Sequence, residues 1–223
     1  SIASQYDTLE NVTTEQAVRG IRELGFHAVL EAAWGADMVA YLEAQELVEK
    51  GFLTSSCCPG FVDYIHKNYP DIVPEISHNY SPMAQLGKVL KEMDPGCKTV
   101  FIGPCIAKKN ELRLVREHVD SVLTFEELQA LFDAKDIDIS PLEGTMLDNA
   151  SYFGRIFARS GGLSEAVAQA LKEHNIPAET FTANPIICNG LAECDKALRL
   201  HQLGKLENNF IEGMCCPGGC IGG

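Results

Sequence analysis

Six cysteines in three short stretches carry the reactive chemistry of this chain: Cys57 and Cys58, then Cys105, then Cys215, Cys216 and Cys220. Thiolates are ligands for soft metal centres. The last stretch, Glu212 to Gly223, packs three cysteines and five glycines into twelve residues. Glycines let backbone approach a bound group closely and present N–H groups to it. No Cys-x-x-Cys pair occurs, so a structural zinc site is not indicated. Nine cysteines is an odd number in a chain with no export signal, which argues against a disulfide framework. Several cysteines are therefore assigned to a cofactor or to catalysis, and the others to small buried hydrophobes.

The elements that must position these thiols follow from apolar periodicity and turn chemistry. Helices are predicted over Thr14–Gly25, Gly35–Lys50, Pro59 to about Tyr69, Ser81 to Met93, after Cys105, after the capping box Thr124-x-x-Glu127, over Leu163–His174 and over Leu191–Leu203. Strands are predicted at Ser1–Ser4, His27–Ala33, Phe52–Ser56, Lys98–Gly103, Val119–Leu123, Asn184–Cys188 and Asn209–Met214. Asp136–Phe153 reads as an irregular connection between lobes. Strands alternating with helices define an α/β fold with mainly parallel pairing. Each cysteine stretch begins where an apolar strand runs out, and sites in open parallel sheets form beyond the carboxyl ends of strands. Convergence of three such ends builds one thiolate-lined pocket. By itself the pattern indicates a cluster without saying which.

Composition bounds the rest. At 223 residues, 46% hydrophobic and 22% charged, the chain forms one large domain or two fused lobes around a sizeable core. A net charge of −13 argues against nucleic acid as a partner. An acidic partner would need a local basic patch, for which Lys67, Lys108, Lys109, Arg113 and Arg116 are the candidates. No apolar run reaches the roughly 18 residues of a membrane span. The opening residues read as a strand entering the fold and not as a signal peptide, so a cytoplasmic location is expected.

The three stretches, Thr54-Ser55-Ser56-Cys57-Cys58-Pro59-Gly60-Phe61, Gly103-Pro104-Cys105-Ile106-Ala107-Lys108-Lys109-Asn110-Glu111 and Glu212-Gly213-Met214-Cys215-Cys216-Pro217-Gly218-Gly219-Cys220, resemble the three motifs of the [FeFe]-hydrogenase catalytic domain. They stand in the family's order and register. Gly35-Ala36-Asp37-Met38 and Ser160-Gly161-Gly162 are similar to two further landmarks. The resemblance runs over nearly all of residues 1–223, as a single H-cluster domain of two α/β lobes with the cluster buried between them. It implies that Cys58, Cys105 and Cys216 hold a [4Fe–4S] cubane and that Cys220 bridges it to a two-iron unit bearing CO, cyanide and azadithiolate. It implies that Lys108 pairs with a cyanide, and that Met214 packs beside the two-iron unit. Gly103, Pro104, Ser56, Ala3, Ser4 and Phe157 would line the cofactor. Cys57 would pass protons, with Glu43, Ser77 and Glu46 completing the relay. Glu43 and Glu46 stand at i, i+3, where one helix face presents both. Glu111 is expected as a structural hydrogen-bond partner, Lys109 as a solvated neighbour, Cys215 as a residue beside the ligands or in packing, His78 as a neighbour of Ser77 that either tunes the relay or simply packs, and Cys97, Cys188 and Cys194 as small core or loop residues.

The resemblance implies reversible interconversion of protons and electrons with H2, the cofactor carrying the redox step and the protein supplying protons. A carrier such as ferredoxin, a redox subunit or an upstream iron–sulfur domain would supply electrons, because no ferredoxin-like Cys-x-x-Cys-x-x-Cys segment accompanies the domain. Maturation proteins would install the two-iron unit. Departures from the motifs are Gly103 for Met, which is expected to open space beside the cluster, Phe61 for Trp, Ser55-Ser56 for Thr-Ser, and Ser4 for Pro. Two alternatives stay open: an H2 sensor, which Gly103 favours, and an iron–sulfur assembly protein holding only a cubane.

Overall fold

The computed structural model of the chain describes residues 12–223. The strand expected at Ser1–Ser4, and with it Ala3 and Ser4, lies outside these residues. Helix α1 (Thr14–Glu23) opens on a capping box between Thr13 and Gln16 and ends before Gly25, whose φ of 100° suits only glycine. The strand expected at His27–Ala33 does not form. Residues 27–31 have no ladder partner among the described residues, and helix α2 (Ala32–Lys50) takes Ala32 and Ala33. Val29 is covered by packing against α1, so its burial did not require a strand.

Apart from a short helix at Tyr152–Ile156, which begins within the connection expected to be irregular, the remaining elements follow the predicted order. They are β1 (Leu53–Thr54), α3 (Pro59–Asn68), α4 (Pro82–Met93), β2 (Val100–Ile102), α5 (Ala107–Glu111), β3 (Ser121–Leu123), α6 (Phe125–Ala134), α7 (Tyr152–Ile156), α8 (Gly162–Glu173), β4 (Pro185–Asn189), α9 (Leu191–Gln202) and β5 (Phe210–Met214). Pro59 and Pro82 occupy first helical turns, where a missing N–H costs nothing. A 3-10 turn at Pro70–Glu75 was not anticipated; Pro74 keeps it from becoming α-helix. Residues 136–150 are irregular but pinned: Gln16 donates to the carbonyls of Ser140 and Leu142, and Asp37 accepts from Ser151.

Pairing is parallel throughout the described sheets, in the order β1-β5-β4 for one and β2-β3 for the other. The two sheets are the two lobes. Every residue of β5 is buried, as expected of a central strand covered on both faces. Phe210 and Met214 face α2 and α8 in one core, while Ile211 faces α3 and α9 in another. In the second lobe α1 and α6 cover one face, and α4 packs with Phe101 and Val122 on the other. The long α2 touches α4, α7 and α8, so it spans the seam between lobes.

Candidate metal centre and proton path

Each thiol stretch leaves its sheet where expected. β1 ends at Thr54, three positions before Cys57, β2 at Ile102, three before Cys105, and β5 at Met214, directly before Cys215. Parallel pairing of β1 with β5 puts the first and third stretches side by side. The Gly213 N–H donates to Ser55 Oγ at 3.1 Å, fastening them together. A Cβ on Gly213 would meet the Phe61 ring at 2.2 Å, so the fully buried Phe61 lies flat against the β5 backbone there. The tail then turns through Gly218 and Gly219, both at positive φ. Cys220 N–H donates to the Ala158 carbonyl at 2.7 Å, and Asn189 Oδ1 accepts from Gly218 N–H at 2.5 Å and from Ser160 Oγ at 2.9 Å.

These connections gather Cys58, Cys105, Cys216 and Cys220 into one electrostatic neighbourhood, in which each of Cys58, Cys105 and Cys216 acts on Cys220. The Cys58 thiol is pulled down to about 6, first by a hydrogen bond from the Cys215 thiol, then by N–H donors of Cys215 and Phe61 and by the Lys108 ammonium. Cys215 thus donates to a candidate ligand, the first of the two roles expected of it. Burial raises Cys216, and raises Cys220 to about 11 against the pull of Lys108. Among the described residues no three candidate ligands stand close enough to share a single metal ion. Thiols gathered in one neighbourhood are donors of the kind that hold iron–sulfur clusters.

Lys108 is buried on α5 at 6% exposure, with its Nζ donating to the Cys57 carbonyl at 3.2 Å and to Glu111 Oε2 at 2.7 Å. Glu111 is the structural partner expected of it. Lys109 is partly exposed, as expected of a solvated neighbour, and pairs at the surface with Glu127 on α6 at 2.6 Å. Met214 and Phe157 are buried in the same core as Cys57, and Cys58 and Cys220 pack against it. Ser56 donates to the Asn79 carbonyl at 2.7 Å, and Pro104 is half-buried at the end of β2. Gly103 does not open a void: a Cβ there would meet the Phe101 ring at 2.7 Å, so this ring occupies the space the sequence left vacant. Cys188 and Cys194 are buried and Cys97 half-buried, as expected of core and loop thiols.

Behind Cys57 runs a polar line. Ser77 Oγ lies 2.8 Å from Glu43 Oε2 and 2.9 Å from Glu46 Oε2. A hydroxyl has one hydrogen, so a second proton on one of the carboxyls completes the pair. Glu43 carries it: at 1% exposure, burial pushes its carboxyl up to about 8. Glu46 is partly buried, which opposes ionisation, but Lys50, His78 and Ser77 together hold it below the usual range. Two neighbouring carboxyls with opposite preferences are the arrangement acid–base chemistry uses. Glu43 Oε1 is buried with no hydrogen-bond partner. Cys57 is kept a neutral thiol by burial and then by Cys58, Cys220 and Glu43.

Sequence reasoning missed Asn79 and Lys50. Asn79 Nδ2 donates to Glu46 Oε2 at 2.9 Å and to Ser77 at 3.0 Å; its only signal was a position two residues beyond Ser77. Lys50 pairs with Glu46 at 2.7 Å, a contact the i, i+4 spacing foretells. A groove of about 630 Å³ between α2, α4 and α8 is lined by Trp34, Tyr41 and Phe153 and touches none of the candidate residues.

Parallel α/β lobes with thiols gathered at three strand ends form a frame suited to an iron–sulfur cluster. The chain belongs to the family described as iron only hydrogenase large subunit, C-terminal domain, which it matches over residues 1–223. It is 27% identical to iron hydrogenase 1 of Clostridium pasteurianum, aligning 94% of this chain with 45% of that protein. It is 34% identical to the cytosolic Fe-S cluster assembly factor NAR1 of Botryotinia fuckeliana, over 52% of this chain and 24% of that one. The chain thus spans about half the length, or less, of these curated relatives. A solved variant of the [FeFe]-hydrogenase HydA1 from Chlamydomonas reinhardtii superposes with a TM-score of 0.75 at 23% identity, covering 95% of this chain and 73% of that one. Among the described residues no helix is long and apolar enough to cross a membrane.

Proposed function

We propose that the chain is the catalytic domain of an [FeFe]-hydrogenase that interconverts two protons and two electrons with H2. The observation that carries this reading is the buried Glu43–Ser77–Glu46 line running from beside Cys57 to the surface. A protein that only holds or hands on a cubane has no use for it. Cys58, Cys105, Cys216 and Cys220 would hold the [4Fe–4S] cubane, with Cys220 shared with a two-iron unit. When bound, that H-cluster supplies the redox chemistry on hydrogen.

The chain's own residues do the rest. Glu46 takes a proton on the solvent side, Ser77 passes it on while receiving the next, and Glu43 stores one at neutral pH because its site is dry. Glu43 Oε1, buried with no hydrogen-bond partner, is the oxygen left free to hand a proton onward. The Lys108 ammonium sets a fixed cation beside Cys220, suited to an anionic ligand such as cyanide in a water-poor site. Met214 and Phe157 close the space against water. Electrons would come from a ferredoxin-type carrier, a redox subunit or an iron–sulfur domain, and maturation proteins would deliver the two-iron unit. The proposed setting is the cytoplasm.

A second reading, iron–sulfur assembly, is favoured by the similarity to assembly factors at comparable identity. Infrared spectra separate the two after the protein is matured with a synthetic two-iron complex. The hydrogenase reading expects CO and cyanide bands together with H2 evolution; a cubane signal without those bands sinks it. Bands without turnover would leave a sensor. The Cys57→Ala variant should keep the bands and lose at least about a hundredfold in H2 evolution, the scale of a positioned proton donor. Unchanged turnover would remove Cys57 from the path.

A further inference from the structure

The Glu43–Ser77–Glu46 line does not end at Glu46. Beyond it stands His78, whose side chain is 72% exposed and which the sequence offered only as a residue that tunes the relay or simply packs. Its Nδ1 lies 2.6 Å from Glu46 Oε1 and also 2.7 Å from Lys50 Nζ. Lys50 Nζ is itself 2.7 Å from the same Glu46 oxygen, so the three groups form a closed triangle. The His78 backbone N–H donates to Glu46 Oε2 at 3.1 Å, tying the ring's own residue to the carboxylate it faces. Among the described residues, the charged groups that touch the ring are Glu46 and Lys50, both from α2.

A neutral imidazole has one N–H and one bare nitrogen, and which is which is set by what each nitrogen meets. With the hydrogen on Nδ1, the Glu46 carboxylate accepts it. With Nδ1 bare, the Lys50 ammonium donates to it. One ring nitrogen therefore has a partner in either tautomer. A histidine serving only as a surface salt-bridge partner needs the carboxylate alone.

We propose that His78 is the solvent-side terminus of the proton relay, taking a proton at its exposed edge and releasing one from Nδ1 to Glu46. The balance is simple. A proton from water or buffer adds to Nε2 and makes the imidazolium; the Nδ1–H bond then breaks, and that proton goes to Glu46 Oε1. The ring is left neutral with hydrogen on Nε2 and bare Nδ1 held by the Lys50 ammonium. The ring resets by giving its Nε2 proton to water while another water delivers one to Nδ1, with no net change in charge, and the reverse order carries protons outward when H2 is consumed. No oxidant or co-reactant is involved. His78 acts through Glu46 and touches no cofactor, so it is a positioning and relay residue.

The inference rests on the hydrogenase reading for its purpose but not for its geometry, and two measurements keep them apart. In matured protein, His78→Ala should evolve H2 at least about tenfold more slowly near neutral pH. That is less than the 10²–10⁴ of a group at the reacting centre, because water partly replaces a surface donor. Imidazole added to the buffer should restore most of the rate in His78→Ala and none in His78→Gln, whose amide fills the place but cannot exchange protons in this range. An undiminished rate, or a loss that imidazole does not restore, overturns the proposal. The second measurement needs no cluster. Nitrogen-15 spectra of the His78 ring in the full chain should show both tautomers, with Lys50→Met shifting the balance toward Nδ1–H. One fixed tautomer, indifferent to Lys50, also overturns it. If the parent protein shows CO and cyanide bands but no turnover, the hydrogenase reading falls and the nitrogen-15 result alone decides.

Discussion

Glu43 is the residue whose surroundings most change its chemistry. A carboxyl with a folded-state value near 8 and an unfolded value near the ordinary 4.5 binds its proton more tightly when folded. Below about pH 4.5 both states are protonated and the group does not affect stability. Between about 4.5 and 8 the unfolded state ionises first, so folding stability falls as pH rises, and above about 8 the penalty is constant. The loss is of the order of a few kcal/mol at 1.36 kcal/mol per pH unit. Glu43→Gln should therefore flatten the decline in thermal midpoint between pH 5 and pH 8, leaving the variant relatively more stable at the alkaline end. Parallel curves for parent and variant would show that Glu43 is ionised in the fold. Gly103 gives the opposite lesson about a single position. Its missing side chain suggested a void, yet Phe101 has swung into the space, so Gly103→Met would first have to displace that ring.

At the scale of elements, Glu212 shows how a strand can complete a helix. The N-cap of α8 is Gly161, which has no side chain to satisfy the first-turn amides. Glu212, buried on β5, accepts from Gly161 N–H at 2.6 Å, Ser164 N–H at 2.8 Å and Ser164 Oγ at 2.6 Å. Burial raises its carboxyl, and these three donors pull it back. Glu212→Ala leaves all three without a partner at about 1–3 kcal/mol for each orphaned group. Denaturant unfolding should show a loss of several kcal/mol, and a loss under about 1 kcal/mol would mean that water reaches the helix end. Gly213 poses a steric limit on the same strand. Gly213→Ala drives a methyl into the Phe61 ring, whose full burial leaves it no room to retreat, so the first thiol stretch should shift against the third.

For the whole molecule, the arrangement of ligands matters more than their number. Cys105 follows a strand of the two-stranded sheet, whereas Cys58, Cys216 and Cys220 follow strands of the three-stranded one. A cluster held by all four ties the lobes together. Reconstitution with iron and sulfide should raise the thermal midpoint by about 5–10 °C, taking about 2.7 kcal/mol for a ligand at a hundred times its Kd and about 2–4 °C per kcal/mol for a chain of this size. Cys105→Ser should remove most of that rise, while Cys97→Ser, a half-buried thiol bonded only to the Leu90 carbonyl, should not. An equal rise in both variants would place the metal elsewhere.

Much of this was legible in the chain alone. Capping residues, first-turn prolines and helical stripes are local signals, and they set where nearly every element begins and ends. The apolar runs preceding Cys57, Cys105 and Cys215 identified the pocket because parallel strands present their carboxyl ends on one side, whatever the details of packing. The failures are those of non-local contact. Residues 27–31 looked like a strand because apolar character signals burial without saying whether a sheet or a helix does the burying. Phe101 against Gly103, Glu212 on the end of α8, Cys215 on Cys58 and the Lys50–His78–Glu46 triangle join residues whose spacing, apart from Glu46 with Lys50, carries no periodic signal. Local propensity and spacing thus determined the strand ends and the thiols that follow them, while the ligand and relay roles were implied only by the resemblance to the family's motifs. Only the tertiary structure decided which carboxyl keeps a proton and what covers each cluster-facing atom, because burial and partner geometry exist only once distant segments have met.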